Sequence, residues 1–253
     1  MAIKVRIDQR MVQLGLADSR TRAQALLLAG VVEVRGQRVD KAGTLVPADA
    51  EVRVRGADHP FVSRGGVKLE GALATLGVDV TGLRCLDLGA STGGFTDCLL
   101  QRGAARVVAV DVGYGQLAQK LRDDPRVDVH ERTNARSLTA ALVGGEVDLT
   151  VVDASFIGLG KLMPAIALCT RAGGQLVALV KPQFEVGRAE ASRGRGVVRD
   201  PSARSRAIAG ASDDVSAAGF ELLGTCDCAI RGPKGNLEAF VHARRTGAVM
   251  GGG

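Results

Sequence analysis

Asp87, Asp111, Asp153 and Lys181 each stand at or next to the end of a run of apolar residues, and Glu238 lies in another such run. Runs of this kind read as strands buried on both faces, as in a parallel sheet. One charged residue at a strand end is unremarkable. Several at the carboxyl edge of one sheet are hard to attribute to chance. Asp111 comes 24 positions after Asp87 (111 − 87). An acid about 20 residues along from a strand-to-helix glycine turn is placed to accept hydrogen bonds from ribose hydroxyls. Asn134 follows a third run, where an amide can read an adenine edge. A carboxylate such as Asp153 can orient an amine such as Lys181.

The stretch Cys85 to Phe95 links these groups to a ligand. An apolar strand runs into the turn Gly89-Ala90-Ser91-Thr92-Gly93-Gly94, and a helical pattern follows. Glycine lets the backbone turn sharply and lets a ligand approach closely. The helix start offers free N–H groups. The spacing is neither G-x-G-x-x-G nor the P-loop pattern, so a nucleotide-like ligand and a bare strand-to-helix turn both remain open.

From Leu83 onward, strands and helices alternate, which implies an α/β fold with a parallel sheet. Strands are expected at Arg84–Leu88, Arg106–Val112, Val127–Glu131, Val147–Ala154 and Gln175–Lys181. Helices are expected at Gly94–Arg102, Gln116–Arg122, Ser137–Leu142, Gly160–Thr170 and around Ser202–Ala218. Phe220–Ile230 and Leu237–Arg244 read as an antiparallel end to the sheet. An expected helix Val67–Leu76 carries Lys68 near its start, where the helix dipole opposes a positive charge.

Residues 1–58 read as a separate small α+β unit, 59–66 as a linker, 67–246 as the main domain and 247–253 as a loose tail. In the first unit, Ser19 is placed to cap a helix Arg20–Ala29 that Gly30 closes. Arg35-Gly36 forms a hairpin-like turn between two short strands, and Val52–Arg55 alternates as a last strand.

The chain has 253 residues, 46% of them hydrophobic and only 3% aromatic, so its core is aliphatic. The net charge of +6 leans toward an anionic partner such as nucleic acid. Five cysteines lack metal-ligand spacing and read as reduced thiols of a cytoplasmic protein, with no metal site expected. No apolar run approaches the ~20 residues of a membrane span, and no signal peptide is expected.

Two resemblances sharpen this reading. Arg6-x-Asp8, Ser19-Arg20-x-Arg22-Ala23-x-x-Leu26 and Gly30-x-Val32-x-Val34-x-Gly36 resemble the S4 RNA-binding module, with Arg35 where that family usually has Asn. The resemblance implies RNA binding by the helix pair and hairpin, with Lys4, Arg6, Arg10, Arg20 and Arg22 as contacts. The remainder resembles the S-adenosylmethionine-dependent methyltransferases of Rossmann-like class I fold, specifically the FtsJ-type ribose 2′-O group and its TlyA-like ribosomal RNA members, once labelled haemolysins. Carrying it are Val62-Ser63-Arg64-Gly65-Gly66-x-Lys68-Leu69, Gly89 through Thr96, Asp111 through Leu117, Glu131 through Arg136, Asp153-x-Ser155-Phe156-Ile157 and Leu179 through Glu185. At the linker the family often has basic-Ala-Trp-Val; here it is His59-Pro60-Phe61-Val62.

The resemblance implies a catalytic tetrad of Lys68, Asp153, Lys181 and Glu238. It also implies a cofactor site of Asp87, Gly89, Ala90, Ser91, Gly93, Gly94, Phe95, Asp111, Val112, Asn134, Asp153 and Phe156, taking S-adenosyl-L-methionine without a metal. Lys181 would act as base or hold the developing alkoxide. The substrate implied is a cytidine of ribosomal RNA, in the large and in some members also the small subunit, and the short stretch after Arg245 favours the large-subunit members. Arg64 and the basic, glycine-containing segment 181–206, with Arg193 and Arg195, are further RNA candidates. The protein is expected to be monomeric. Three rival readings are a membrane-active haemolysin, a non-catalytic S4-type RNA-binding or ribosome assembly factor, and a small-molecule O-methyltransferase. The first lacks a suitable cationic amphipathic helix, the second is opposed by the intact tetrad, and the third by the S4-like module.

Overall fold

The computed structural model of the protein describes residues 4–17, 19–54, 59–186, 196–232 and 234–247. The N-terminal part contains β1 (Lys4–Arg6), α1 (Ile7–Gln13), α2 (Arg20–Leu28), β2 (Val32–Val34), β3 (Gln37–Arg38), β4 (Leu45–Pro47) and β5 (Val52–Val54). Strand β1 pairs with β4, and β3, β2 and β5 form a second antiparallel sheet. Both pack on Ile7, Met11, Ala23, Leu27 and Val32, each wholly buried. Ser19 caps α2 by accepting from Arg22 N, as its sequence position implies. Arg35 (φ 51°) and Gly36 (φ 78°) make the hairpin turn with two positive φ angles. Glycine takes that conformation freely; Arg35 takes it at a cost of about 1–2 kcal/mol. Strand β4 was not legible, because Leu45-Val46-Pro47 is a short apolar island that gains its pairing only from β1.

The main domain follows with α3 (Arg64–Leu76), β6 (Arg84–Leu88), α4 (Gly94–Gln101), β7 (Arg106–Val110), α5 (Gln119–Arg122), β8 (Val127–His130), β9 (Val147–Val152), α6 (Met163–Cys169), β10 (Thr170–Val180), α7 (Pro182–Glu185), α8 (Pro201–Ala217), β11 (Phe220–Asp227) and β12 (Ala239–Arg245). The seven strands run in the order β11-β12-β10-β9-β6-β7-β8. Strand β12 is antiparallel to both neighbours; β10, β9, β6, β7 and β8 are mutually parallel. The chain therefore winds outward in two directions from the β6–β9 boundary, and an α/β sheet of this kind offers its binding crevice at the strands' carboxyl ends there. Aliphatic cores cover both faces of the sheet, one including Leu69, Leu99 and Phe240, the other Leu162, Ile166 and Val215.

Several expected boundaries move. Helix α3 starts at Arg64 rather than Val67, because Ser63 caps it by accepting from Gly65 N. Lys68 thus lies beyond the first turn, and the dipole argument about its placement falls away. The expected helix Ser137–Leu142 is replaced by a 3-10 turn at Ala135–Ser137, which Asn134 caps by accepting from Arg136 N. Four of the five parallel strands stop one or two residues short of the expected ends, so Asp111, Asp153 and Lys181 stand just beyond their strands rather than in them. Glu238 likewise precedes β12 instead of lying in it.

Candidate functional site

Sheet register brings the candidate residues to one rim. Leu88 is level with Val110 on one side and Val152 on the other. Gly89, Asp111 and Asp153, each one residue further on, consequently leave the sheet side by side. Val180 faces Ala239 across the antiparallel pair, which puts Lys181 and Glu238 at the same edge. Lys68 arrives from α3.

The four tetrad residues form two ion pairs. Lys68 Nζ donates to Glu238 Oε2 at 2.5 Å, with the two side chains 9% and 1% exposed. Lys181 Nζ lies 2.6 Å from Asp153 Oδ1, an ion contact off the direction of a hydrogen bond. It donates instead to Ser155 Oγ at 2.9 Å and the Asp153 carbonyl at 3.3 Å. Ser155 was quoted within a motif but given no role; its Asp-x-Ser spacing was the available signal. All four tetrad residues line one cleft of about 1860 Å³, together with Gly89, Ala90, Ser91, Gly94 and Phe95.

Glycine is required at two points of this cleft. Gly89 has φ 86°, and a Cβ there would stand 2.9 Å from the Asp153 carbonyl oxygen. At Gly94 a Cβ would meet Ser63 Oγ at 2.3 Å, so the starts of α3 and α4 approach closely only because that atom is missing. Backbone and small side chains are thus left to face a ligand. Asp111 anchors the loop: Oδ2 accepts from Ser91 N at 2.8 Å and Oδ1 from Gly113 N at 2.7 Å. Each oxygen keeps lone-pair capacity for a ribose hydroxyl. These features fit a nucleoside-like cofactor such as S-adenosylmethionine.

The remaining expected cofactor residues differ in their surroundings. Asp87 is fully buried and is not on the cleft wall; its Oδ2 accepts from Thr96 Oγ1 at 2.7 Å and its Oδ1 has no protein partner. Burial, offset only in part by the Thr96 hydrogen bond, pushes its carboxyl up to about 7. Gly93 is buried against Leu117 and Leu121. Val112 is 72% exposed, and Asn134 is exposed with its side chain accepting from Arg136 N. Phe156 is 91% exposed at φ 67°, its ring 5.3 Å from that of Phe184. Its open ring lines the same cleft as the glycine loop and the tetrad.

The RNA candidates also divide. Arg6 and Arg20 both bond the buried Asp8, and the Arg6 hydrogen bonds hold that carboxyl well below the usual range. Their sequence pattern is therefore in part a structural ion pair. Lys4 is exposed and Arg10 half-buried. Arg22 lines the same cleft as the tetrad, as do Arg38 and Lys41, which were not singled out as contacts. Arg64 opens α3 at the cleft and donates to the Arg231 carbonyl at 3.3 Å. Arg193 and Arg195 lie outside the described residues. The five cysteines are free thiols, three buried and two half-buried. Among the described residues no group of His, Cys, Asp and Glu could hold a metal, and no helix is long and apolar enough to cross a membrane.

Comparison with known proteins agrees with this architecture. Residues 61–245 match the model of the FtsJ-like methyltransferases, and residues 5–52 that of the S4 domain. The chain is 48% identical to the 16S/23S rRNA (cytidine-2′-O)-methyltransferase TlyA of Mycobacterium tuberculosis over 96% of its own length and 91% of the relative's. It is 39% identical to hemolysin A of Brachyspira hyodysenteriae, over 94% and 99% of the two chains. A solved structure of a hemolysin-named protein from Streptococcus thermophilus superposes with a TM-score of 0.75 at 39% identity, covering 97% of this chain and 90% of that one.

Proposed function

The chain belongs to the FtsJ-like methyltransferases, with an S4 domain ahead of the catalytic one, and we propose that it methylates the ribose 2′-oxygen of a cytidine in ribosomal RNA. The observation that carries this reading is the pair of lysine–carboxylate contacts, Lys68–Glu238 and Lys181–Asp153, on the wall of the cleft that begins at the glycine loop.

When bound, S-adenosylmethionine supplies a methyl group on a positively charged sulfur. Gly89, Ala90, Ser91 and Gly94 line its place, and Asp111 is available to the ribose hydroxyls. A ribose hydroxyl is a poor nucleophile at neutral pH, so the chain's task is to align it and to manage its proton. Lys181 Nζ does the second. As the amine it takes the hydroxyl proton; as the ammonium it holds the developing alkoxide. Asp153 and Ser155 fix that nitrogen in either state. Lys68 and Glu238, tied to each other, bound the opposite side of the ribose.

The cleft continues from the tetrad to Arg22, Gln24 and Leu28 of α2, and to Arg38 and Lys41. RNA lying in it would be gripped by the S4 domain while its target nucleotide reaches Lys181. Phe156, bare beside the tetrad, suits stacking on a base drawn out of its helix. For the membrane-active reading, which the Brachyspira relative's name suggests, no helix among the described residues is long and apolar enough to cross a membrane.

The test is incubation with methyl-labelled S-adenosylmethionine and separated ribosomal subunits, followed by mapping of the label. Label on a cytidine 2′-oxygen of the large-subunit RNA is expected, and the small-subunit arm decides whether that RNA is a second substrate. Absence of transfer to either RNA refutes the proposal.

A further inference from the structure

Asn236 is 2% exposed, and a buried amide is costly unless its polar atoms find partners. Its Oδ1 accepts from Val198 N at 2.9 Å, and its Nδ2 donates to the Gly196 carbonyl at 2.8 Å. Its own carbonyl accepts from Gly232 N at 3.0 Å, and Gly235 N closes the turn onto the Gly232 carbonyl at 2.9 Å. The side chain thus grips a segment 38 to 40 residues away, while the backbone carbonyl of the same residue closes the turn with Gly232.

That turn is the wall against which Glu238 rests. A Cβ on Gly232 would stand 2.5 Å from Glu238 Oε1, so backbone alone fits there. Glu238, two residues after Asn236, holds Lys68 through its other oxygen. The gripped segment, Gly196–Val198, lies on the chain that leaves β10 through Lys181. Asn236 therefore joins Gly196–Val198 to the strand entry that carries Glu238. Asparagine suits the task because one side must accept and the other donate; aspartate supplies no donor.

We propose that Asn236 is a positioning residue for the methyl transfer: it pins Gly196–Val198 to the Gly232–Asn236 turn and so fixes Glu238, and through it Lys68, against the ribose. This rests on the methyltransferase reading above. Asn236 acts through Glu238 and not on the substrate, so its loss should lower kcat and leave the cofactor's binding alone.

The experiment compares full-length wild type, Asn236→Ala, Val198→Pro and the double variant. Val198→Pro removes the N–H that Asn236 accepts, from the other side of the bond. The readouts are kcat on ribosomal subunits, Kd for S-adenosylmethionine, and hydrogen exchange of the Val198 and Gly232 amides. Asn236→Ala should lose about 100-fold in kcat, the scale of roughly a 1 Å misplacement. Its Kd should stay within about twofold, while Gly232 exchange accelerates. Val198→Pro should lose about tenfold in kcat, and the double variant should be no worse than Asn236→Ala. Wild-type kcat in Asn236→Ala, a Kd loss that matches the kcat loss, or additive losses in the double variant would each overturn the assignment. If Asn236→Ala does not fold, wild-type kcat in Val198→Pro overturns it alone. An active wild type with an equally active Asn236→Ala sinks only this inference; an inactive wild type sinks the methyltransferase reading and this with it.

Discussion

Lys68 and Glu238 are an almost fully buried ion pair, and this makes their roles in stability and in catalysis separable. Glu238 is the more enclosed partner; one oxygen takes the lysine at 2.5 Å and the other has no protein partner. Lys68→Met removes the charge while keeping most of the side chain's bulk. It strands a carboxylate in a dry site, which costs about 3–5 kcal/mol. For a chain of this size that is a fall of roughly 6–20 °C in Tm. Adding Glu238→Gln removes the stranded charge, and the double variant should return to within about 1–2 kcal/mol of wild type. Activity should not return, because neither residue can then order the ribose. The assays are urea unfolding of the three variants beside wild type, and methyl transfer to ribosomal subunits on each. A loss below about 1 kcal/mol in Lys68→Met would refute the burial argument. A stable double variant methylating at the wild-type rate would show the pair to be structural only.

Lys181→Ala should lower kcat by about 100- to 10,000-fold with cofactor affinity unchanged, measured by single-turnover transfer and calorimetry; a wild-type rate would remove Lys181 from the chemistry. Gly89→Ala places a Cβ 2.9 Å from the Asp153 carbonyl at φ 86°, so S-adenosylmethionine binding should weaken at least tenfold, and an unchanged Kd would show that the loop does not hold the cofactor. Asp87 is raised from 3.8 to about 7, so between those values the folded chain keeps a proton that the unfolded chain has lost, and stability falls as pH rises through that window. Asp87→Asn has no such proton; its stability relative to wild type should grow from pH 4 to pH 7 by up to about 4 kcal/mol, read from denaturant midpoints, and a pH-independent difference would refute the raised carboxyl. Phe156→Ala should reduce RNA methylation while leaving cofactor affinity within about twofold, whereas a matching loss of affinity would return Phe156 to the cofactor wall.

Much of the architecture was legible because it rests on local signals. Runs such as Val107-Val108-Ala109-Val110 between turn signals read as buried strand, and Ser19 stands where a helix cap must. Short or non-local elements were missed: β4 exists only through β1, and 137–142 buries Leu138 in the core from just past a 3-10 turn rather than from a helix. At the site the same division holds. Asp111, Asp153, Lys181 and Glu238 were readable as strand-end polar groups, whereas Asp87 and Gly93 carry the right residue types at places that face the core.

The amino-acid sequence alone determined the strand–helix alternation, the glycine loop and the inventory of lysines and carboxylates, since periodicity and backbone freedom act within a few residues of the chain. Only the tertiary structure decided which of those groups meet. Lys68 reaches Glu238 across 170 positions, and Asn236 reaches Gly196 across 40. Such pairings follow from how helix, sheet edge and loop come together, and no local pattern encodes a contact whose partner lies on a distant element.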